Sequence, residues 1–339
     1  MKALRKLYNP SLFQGDLFRT GYFEGWYFKQ VSADLQHVYA FIPGIALGEA
    51  ESERYAFIQV IDGISGRTHF GRYPLEKFDA AEKSLEVRVG GSTFTDSYIA
   101  LNIDTEALRV QGRVDFAHLS PYPKRLLSPG IMGWYSFVPR MECKHGLVSM
   151  THRLEGRLQI DGTPVDFTGG KGYIEKDWGS SFPESWIWMQ SNHFSDPNTS
   201  FMLSVAKIPW MGGYFMGFLS FLKIGAATRF FATYNGSKIV KITNLSRRDS
   251  AGKTELEGVE LRIERESPSG REELRIRAES TQGGALKSPV RGRMDSFIKE
   301  SVDAELRLDY RSSDGRTYRD TGRRGGLEIV EQIFSYFSA

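Results

Sequence analysis

Few of the features that settle a function quickly are present in this sequence. There is one cysteine, Cys143, among 339 residues, which rules out an intrachain disulfide and fits a reducing compartment. The 44 basic residues nearly balance the 41 acidic ones, leaving a net charge of +3. Lysine and arginine gather only in short clusters such as Arg247-Arg248 and Arg323-Arg324, so no nucleic-acid partner is expected. The six histidines are His37, His69, His118, His145, His152 and His193, and none sits in an HxH, HExxH or Cys/His spacing. No metal is expected from such a set. His152 and His193 are the two to follow, each with a satisfied core or surface role as the alternative. There is no GxSxG, and no glycine-rich stretch combines phosphate-loop spacing with a strand-to-helix context, so no cofactor is expected either.

Long apolar runs are scarce too. The start, "MKALRKLYNPSLFQGD", carries charge but no apolar core after it, unlike a signal peptide. The most apolar stretch runs from Ile208 to Ala227 and is broken by Lys223 and several glycines. Its uncharged part falls short of the ~20 residues that a membrane helix needs. It reads as two buried strands joined by a glycine-rich turn, with contact to a membrane surface as the alternative. A soluble, cytoplasmic protein is expected, possible membrane association being confined to that surface.

What the chain does have is alternation. Hydrophobic residues make up 40%, aromatic residues 13%, and there are 35 glycines, a balance of strands and turns. "SLEVRVGG" sets Leu85, Val87 and Val89 against Glu86 and Arg88. Asp161-Gly162, Pro268-Ser269-Gly270 and Asp314-Gly315 are turn signals between alternating runs,. The tail "LEIVEQIFSYF" is the best helical candidate. The expected fold is all-β, antiparallel, in two domains of barrel or sandwich type covering 1–195 and 196–339.

One window stands out. "GYIEKDWGSSFPESWIWMQSNHF", Gly172 to Phe194, mixes three tryptophans with acids and amides. Read as strand, turn, strand, it places Glu175 and Asp177 on one face, opposite Lys176 and Trp178. In its second strand Trp186, Trp188, Gln190 and Asn192 share a face. Nearer the start, "GYFEGWYFK" puts Glu24, Trp26 and Phe28 together. If those faces line one cavity, it is apolar, aromatic and supplied with a proton donor, because an acid in such a setting stays protonated near neutrality. Asp177 is the first candidate for that donor, then Glu175, then Glu24; two neighbouring carboxylates help to keep one proton between them. Gln190 and Asn192 would orient a substrate oxygen. The plain alternatives are tryptophans that are core, an edge-strand charge cluster, and an Asp177 that caps the turn at Gly179 or Ser180. Between Leu119 and Cys143 a Pro-rich, aromatic loop would close over a pocket with Trp134, Tyr135 and Arg140 reaching in, or simply connect two sheets.

"YFEGWYFK", "SPGIMGWYSFVPRMEC", "GRMDSFIKESVDAELRL" and above all the central window resemble bacterial members of the tocopherol cyclase family. The resemblance covers nearly the whole chain. It implies two tandem lipocalin-like domains and a superfamily shared with carotenoid hydratases and fungal pericyclases. It also implies cofactor-independent chemistry, in which an acid protonates a prenyl alkene and a phenol oxygen adds to the resulting cation. A prenylquinol or similar isoprenoid is the implied partner, bound against Trp26, Trp178, Trp186 and Trp188. A non-catalytic isoprenoid carrier and a hydratase of an isoprenoid alkene are the alternatives.

Overall fold

The computed structural model describes residues 2–139, 141–248, 254–267, 270–280 and 283–330. It is almost all β, with two large antiparallel sheets. The chain divides into two compact units, 1–182 with 284–298, and 183–283 with 299–339. The strand Trp186–Ser191, which composition groups with the first half, thus belongs to the second unit, and the segment 284–298 returns to the first.

In the first unit the strands are β1 (Tyr22–Val31), β2 (Val38–Leu47), β3 (Arg54–Asp62), β4 (Thr68–Pro74), β5 (Phe78–Ala80), β6 (Glu86–Val89), β7 (Ser92–Thr95), β8 (Tyr98–Asp104), β9 (Arg109–Ala117), β10 (Cys143–Ile160), β11 (Thr163–Asp166) and β12 (Lys171–Gly179). They run in the order β4-β3-β2-β1-β12-β10-β9-β8-β7-β6-β5, with β11 paired to β10. Strand β12, which follows the β10–β11 hairpin, inserts between β1 and β10. Strands β6 to β9 alternate between buried and exposed positions as their sequences do. By contrast β1, β2, β3 and most of β12 are buried on both faces. A strand covered on both sides can carry a polar residue only where another group satisfies it. This constraint builds the site described below. Trp26, Phe28, Phe41, Phe94, Phe116, Leu154 and Ile174 face one interior core, while Ala46, Tyr55, Phe57 and Met294 form a second cluster.

The second unit holds β13 (Trp186–Ser191), β14 (Ser200–Trp210), β15 (Gly213–Ile224), β16 (Ala227–Ala232), β17 (Ser237–Arg248), β18 (Thr254–Ser267), β19 (Gly270–Glu279) and β22 (Thr317–Ile329). Strand β20 (Gly284–Val290) pairs with β21 (Arg293–Arg311), which runs on into the second unit. The apolar stretch forms the β14–β15 hairpin, turning at Met211 and Gly212, both at positive φ. Its strands are buried toward the base, but Trp210, Met211 and Tyr214 at the tip are exposed. Among the described residues no helix is long and apolar enough to cross a membrane. Leu327–Ile329 of the expected C-terminal helix close strand β22 instead; the remainder beyond Val330, and the Pro268-Ser269 turn, lie outside the described residues.

Deleting a core ring removes its transfer free energy and leaves a cavity. Phe28, fully buried, should therefore cost about 3–5 kcal/mol as Phe28→Ala in a urea titration,. Phe18→Ala, at a site 94% exposed, should leave the midpoint within about 0.5 kcal/mol of the parent.

Candidate active site

Strand β12 lies between β1 and β10 and sends its polar residues both ways. On the core side Lys176 meets Glu24 of β1 at 2.5 Å, with both side chains fully buried. The Lys176 ammonium also donates to the carbonyls of Pro10, at 3.0 Å, and Leu12. It rests over the rings of Trp26 and Trp178 at 4.5 and 5.0 Å. Burial pulls Lys176 down to about 8, against the charge of Glu24, which holds its proton on. Glu24 in turn accepts from the backbone amides of Gln14 and Gly15, at 2.7 and 2.9 Å, and from the Tyr22 hydroxyl. Every oxygen of Glu24 is thus occupied as an acceptor. This pair pins the N-terminal segment to the sheet, and breaking a buried pair of this kind costs about 3–5 kcal/mol. Trp26 has no exposed surface, and its indole N–H donates to the Ser11 carbonyl at 2.9 Å.

Glu175 and Asp177 face the other way, toward His145 of β10. The imidazole lies between them, Nδ1 at 2.9 Å from Asp177 and Nε2 at 3.4 Å from Glu175. The Tyr173 hydroxyl donates to Glu175 at 2.5 Å, and the Cys143 thiol lies 3.9 Å from Asp177. Burial alone lowers the His145 pKa. The charges of Asp177 and then Glu175, together with the Asp177 hydrogen bond, override it and bring the ring up to about 9. Burial pushes the Tyr173 phenol and the Cys143 thiol well up, so both keep their protons. The raised pKa favours a proton on the imidazole, where both carboxylates face it. His145, Glu175 and Asp177 also offer ligand atoms within 4.8 Å of one another; a metal cation bound there would have to displace that proton.

The register extends this cluster into a row across five strands. His145 pairs with Asp177, Asp177 with Gly25, Gly25 with Gly44, and Gly44 with Phe57. Two glycines side by side leave the row without side chains between Asp177 and Phe57. Phe57 leans over Gly44, where an added Cβ would come within 2.5 Å of its ring; at Gly25 the nearest atoms are 3.8 Å away. Phe23 and Tyr27 flank Gly25 along β1 and point to the same face,. Asp177 is the open member of the cluster, its side chain 28% exposed against 5% for Glu175. Asp177 and Gly25 are thus partly exposed on a face that they share with the rings of Phe57, Phe23 and Tyr27.

The remaining candidates separate from this row. Glu24, Trp26 and Trp178 share the opposite face of the sheet with Lys176, so the three acids do not converge. Trp134 and Tyr135 stack on each other at 4.1 Å in a short helical turn, Trp134 being 46% exposed. That loop touches the site through Met132, whose sulfur accepts from the His145 backbone amide at 3.1 Å. Arg140 lies outside the described residues. Trp186, Trp188, Gln190 and Asn192 are buried in the second unit. Trp186 donates to Glu328 at 2.5 Å, and Trp188 lies against Gly326, where a Cβ would approach its ring to 2.3 Å. Asp177 does not cap the turn, since the Ser180 amide donates to the Glu142 carbonyl. His145 escaped the sequence reading because its partners are 30 and 32 positions away; period-2 pairing of β10 with β12 was the signal that would have found it.

A family model described as tocopherol cyclase-like matches residues 119–329, which takes in β10, β12 and β13. The chain belongs to this family. The "YFEGWYFK" segment on β1 precedes the matched stretch. Tocopherol cyclases of rice (Oryza sativa subsp. japonica, described as probable) and maize (Zea mays) are 35% and 33% identical over 75 residues, 22% of this chain. The match spans only 16% of either relative's length. Among solved structures, CghA with Sch210972 superposes with a TM-score of 0.54 at 12% identity, covering 91% of this chain and 89% of that one. Kievitone hydratase from Nectria haematococca gives 0.51 at 10% identity, with 92% and 90% covered. A putative AttH from Nitrosomonas europaea gives 0.52 at 13%, with 90% and 92% covered. At these identities the likeness is one of fold.

The position of the His145 proton is open to direct measurement. Its folded pKa lies above the ordinary 6.5, so protonation stabilises the fold. That stabilisation is full below about 6.5 and is lost as the pH rises through about 9. An imidazole NMR titration should show one histidine with a midpoint near 9, falling toward the ordinary value in Asp177→Asn.

Proposed function

We propose that this protein cyclises a prenylated hydroquinone, or a closely related isoprenoid phenol, by proton transfer from the His145–Asp177 pair without a cofactor. The observation that carries the reading is the buried His145 ring held between Glu175 and Asp177, with Asp177 the most exposed of the three and next to the partly exposed Gly25. An apolar prenyl chain laid over the exposed part of Asp177 and Gly25 would exclude water. In a dry setting the ion pair is the costlier form, and one proton moving along the 2.9 Å bond gives neutral imidazole and a carboxylic acid.

Asp177 in its acid form then donates the proton to the less substituted carbon of the trisubstituted alkene. The tertiary cation that results is faced by the rings of Phe57 and Tyr27, whose π-faces favour positive charge. The buried charge of Glu175 favours it as well. The phenol oxygen adds to the cation, and its proton passes to Asp177, which restores the starting pair. Substrate and product are isomers, so nothing is consumed. The family and the aromatic rings beside Asp177 support this order of events; the hydratase-like neighbour supports a second outcome in which water, not the phenol, captures the same cation.

Incubation with a prenyl hydroquinone separates the possibilities. A product of unchanged mass and shifted retention is expected. A gain of one water would reassign the protein as a hydratase, and bound but unaltered substrate would make it a carrier. Asp177→Asn should still fold, with the lower stability that goes with a lower His145 pKa, and lose turnover by roughly a hundredfold or more. An Asp177→Asn protein of full activity would end the mechanism.

A further inference from the structure

A second polar row crosses the same sheet on its core face, away from His145 and Asp177. Gly172 of β12 pairs with Gln30 of β1 on one side and with His152 of β10 on the other. Tyr39 of β2 continues the row beyond Gln30. Paired residues point to the same face, and here that face is the interior core of the first unit. The His152 ring lies 4.4 Å from Phe116. Phe28, the next inward residue of β1, lies 6.4 Å from Phe116. Gly172 is about five residues along β12 from Asp177, or roughly 17 Å of strand.

Three buried polar atoms in this row lack a protein partner. Gln30 has no exposed surface and His152 has 1%. Neither amide atom of Gln30, nor the Nε2 of His152, makes a hydrogen bond among the described residues. The Gly172 position explains where Nε2 stands: a Cβ there would lie 2.2 Å from it, so the imidazole leans across β12 toward β1 over the missing side chain. Its protonation follows from the neighbours. The Ser149 hydroxyl donates to the Thr151 carbonyl at 3.0 Å and so accepts, at 3.2 Å, from His152 Nδ1. Nε2 is then a bare acceptor. Burial holds the ring down at about 3, so it stays neutral in ordinary buffers. Buried amide and imidazole groups without partners are costly to keep in an apolar core, and Phe or Leu would fill the same space without that cost.

We infer that Gln30 and His152 form a second binding site, inside the first unit, for an apolar molecule that carries one hydroxyl group, an alcohol or a phenol. The hydroxyl donates to His152 Nε2 and accepts from the Gln30 amide N–H, and the apolar body enters where the rings of Phe28, Phe94 and Phe116 now meet, so that these rings must part to admit it. A site of this design accepts the hydroxyl compound and disfavours the hydrocarbon of the same shape, since the latter leaves both groups unpaired.

The test compares 4-hexylphenol with hexylbenzene on the full chain, read by the histidine 15N resonances and by thermal shift. The phenol should move the His152 Nε2 resonance in the direction of hydrogen-bond acceptance and bind about tenfold or more tightly than hexylbenzene. The response should persist in Asp177→Asn, which separates this site from the His145 row. It should vanish in Gln30→Met, a change that conserves volume and should not lower the melting temperature. His152→Phe serves as the second variant if Gln30→Met fails to fold. Equal affinity for the two compounds overturns the inference. So does a His152 resonance that never responds, or one that reports exchange with a bound water only.

Discussion

A strand buried on both faces has no solvent to absorb its charges, and β12 carries three of them in succession. Glu175, Lys176 and Asp177 are kept by alternation: each charge is delivered to a face where a partner on the neighbouring strand meets it. Lys176 finds Glu24 and the two carbonyls of the N-terminal segment. Glu175 and Asp177 find His145. A one-residue slip of β12 would exchange the two faces and leave every one of these charges buried without its counter-ion. The register of β12 against β1 and β10 is therefore fixed as much by charge as by apolar packing.

The two clusters differ in what they can do. Around Lys176 every proton and lone pair is committed to the protein, and the rings of Trp26 and Trp178 close the space around the ammonium. Such a network holds structure and has nothing left to offer a substrate. Around His145 one member, Asp177, keeps partial exposure, and at Gly44 beside it the missing side chain lets the Phe57 ring lie against the strand. In the proposed function, that asymmetry is what makes the His145 cluster and not the Lys176 cluster the place for chemistry.

The sequence made the strand content, the turns at Asp161 and Asp314, and the opposed faces of Glu175–Asp177 and Lys176 readable, because period-2 alternation is local. It also made the family readable, through the motif on β12 and β13. What it did not reveal depended on which strands become neighbours. The grouping of Glu24 with the other two acids failed because alternation within β1 says nothing of which face of β12 it will meet. Trp26 looked like a pocket wall, yet its indole is consumed by the Ser11 carbonyl, a contact from a segment without regular structure. His145 was passed over in a stretch with no motif of its own. Trp186 and Trp188 fell in the second unit because β13 pairs with β14 and β22, and a tryptophan-rich strand reads alike in either sheet.

The central claim is that a proton exchangeable with solvent, held by the His145–Asp177 pair, becomes bonded to a substrate carbon. Running the conversion of a prenyl hydroquinone in D2O tests it most directly. The account predicts a cyclised product with a single carbon-bound deuteron on the ring methylene next to the new quaternary carbon. A cyclised product without carbon-bound deuterium would contradict it, because ring closure would then have proceeded with no proton from the protein.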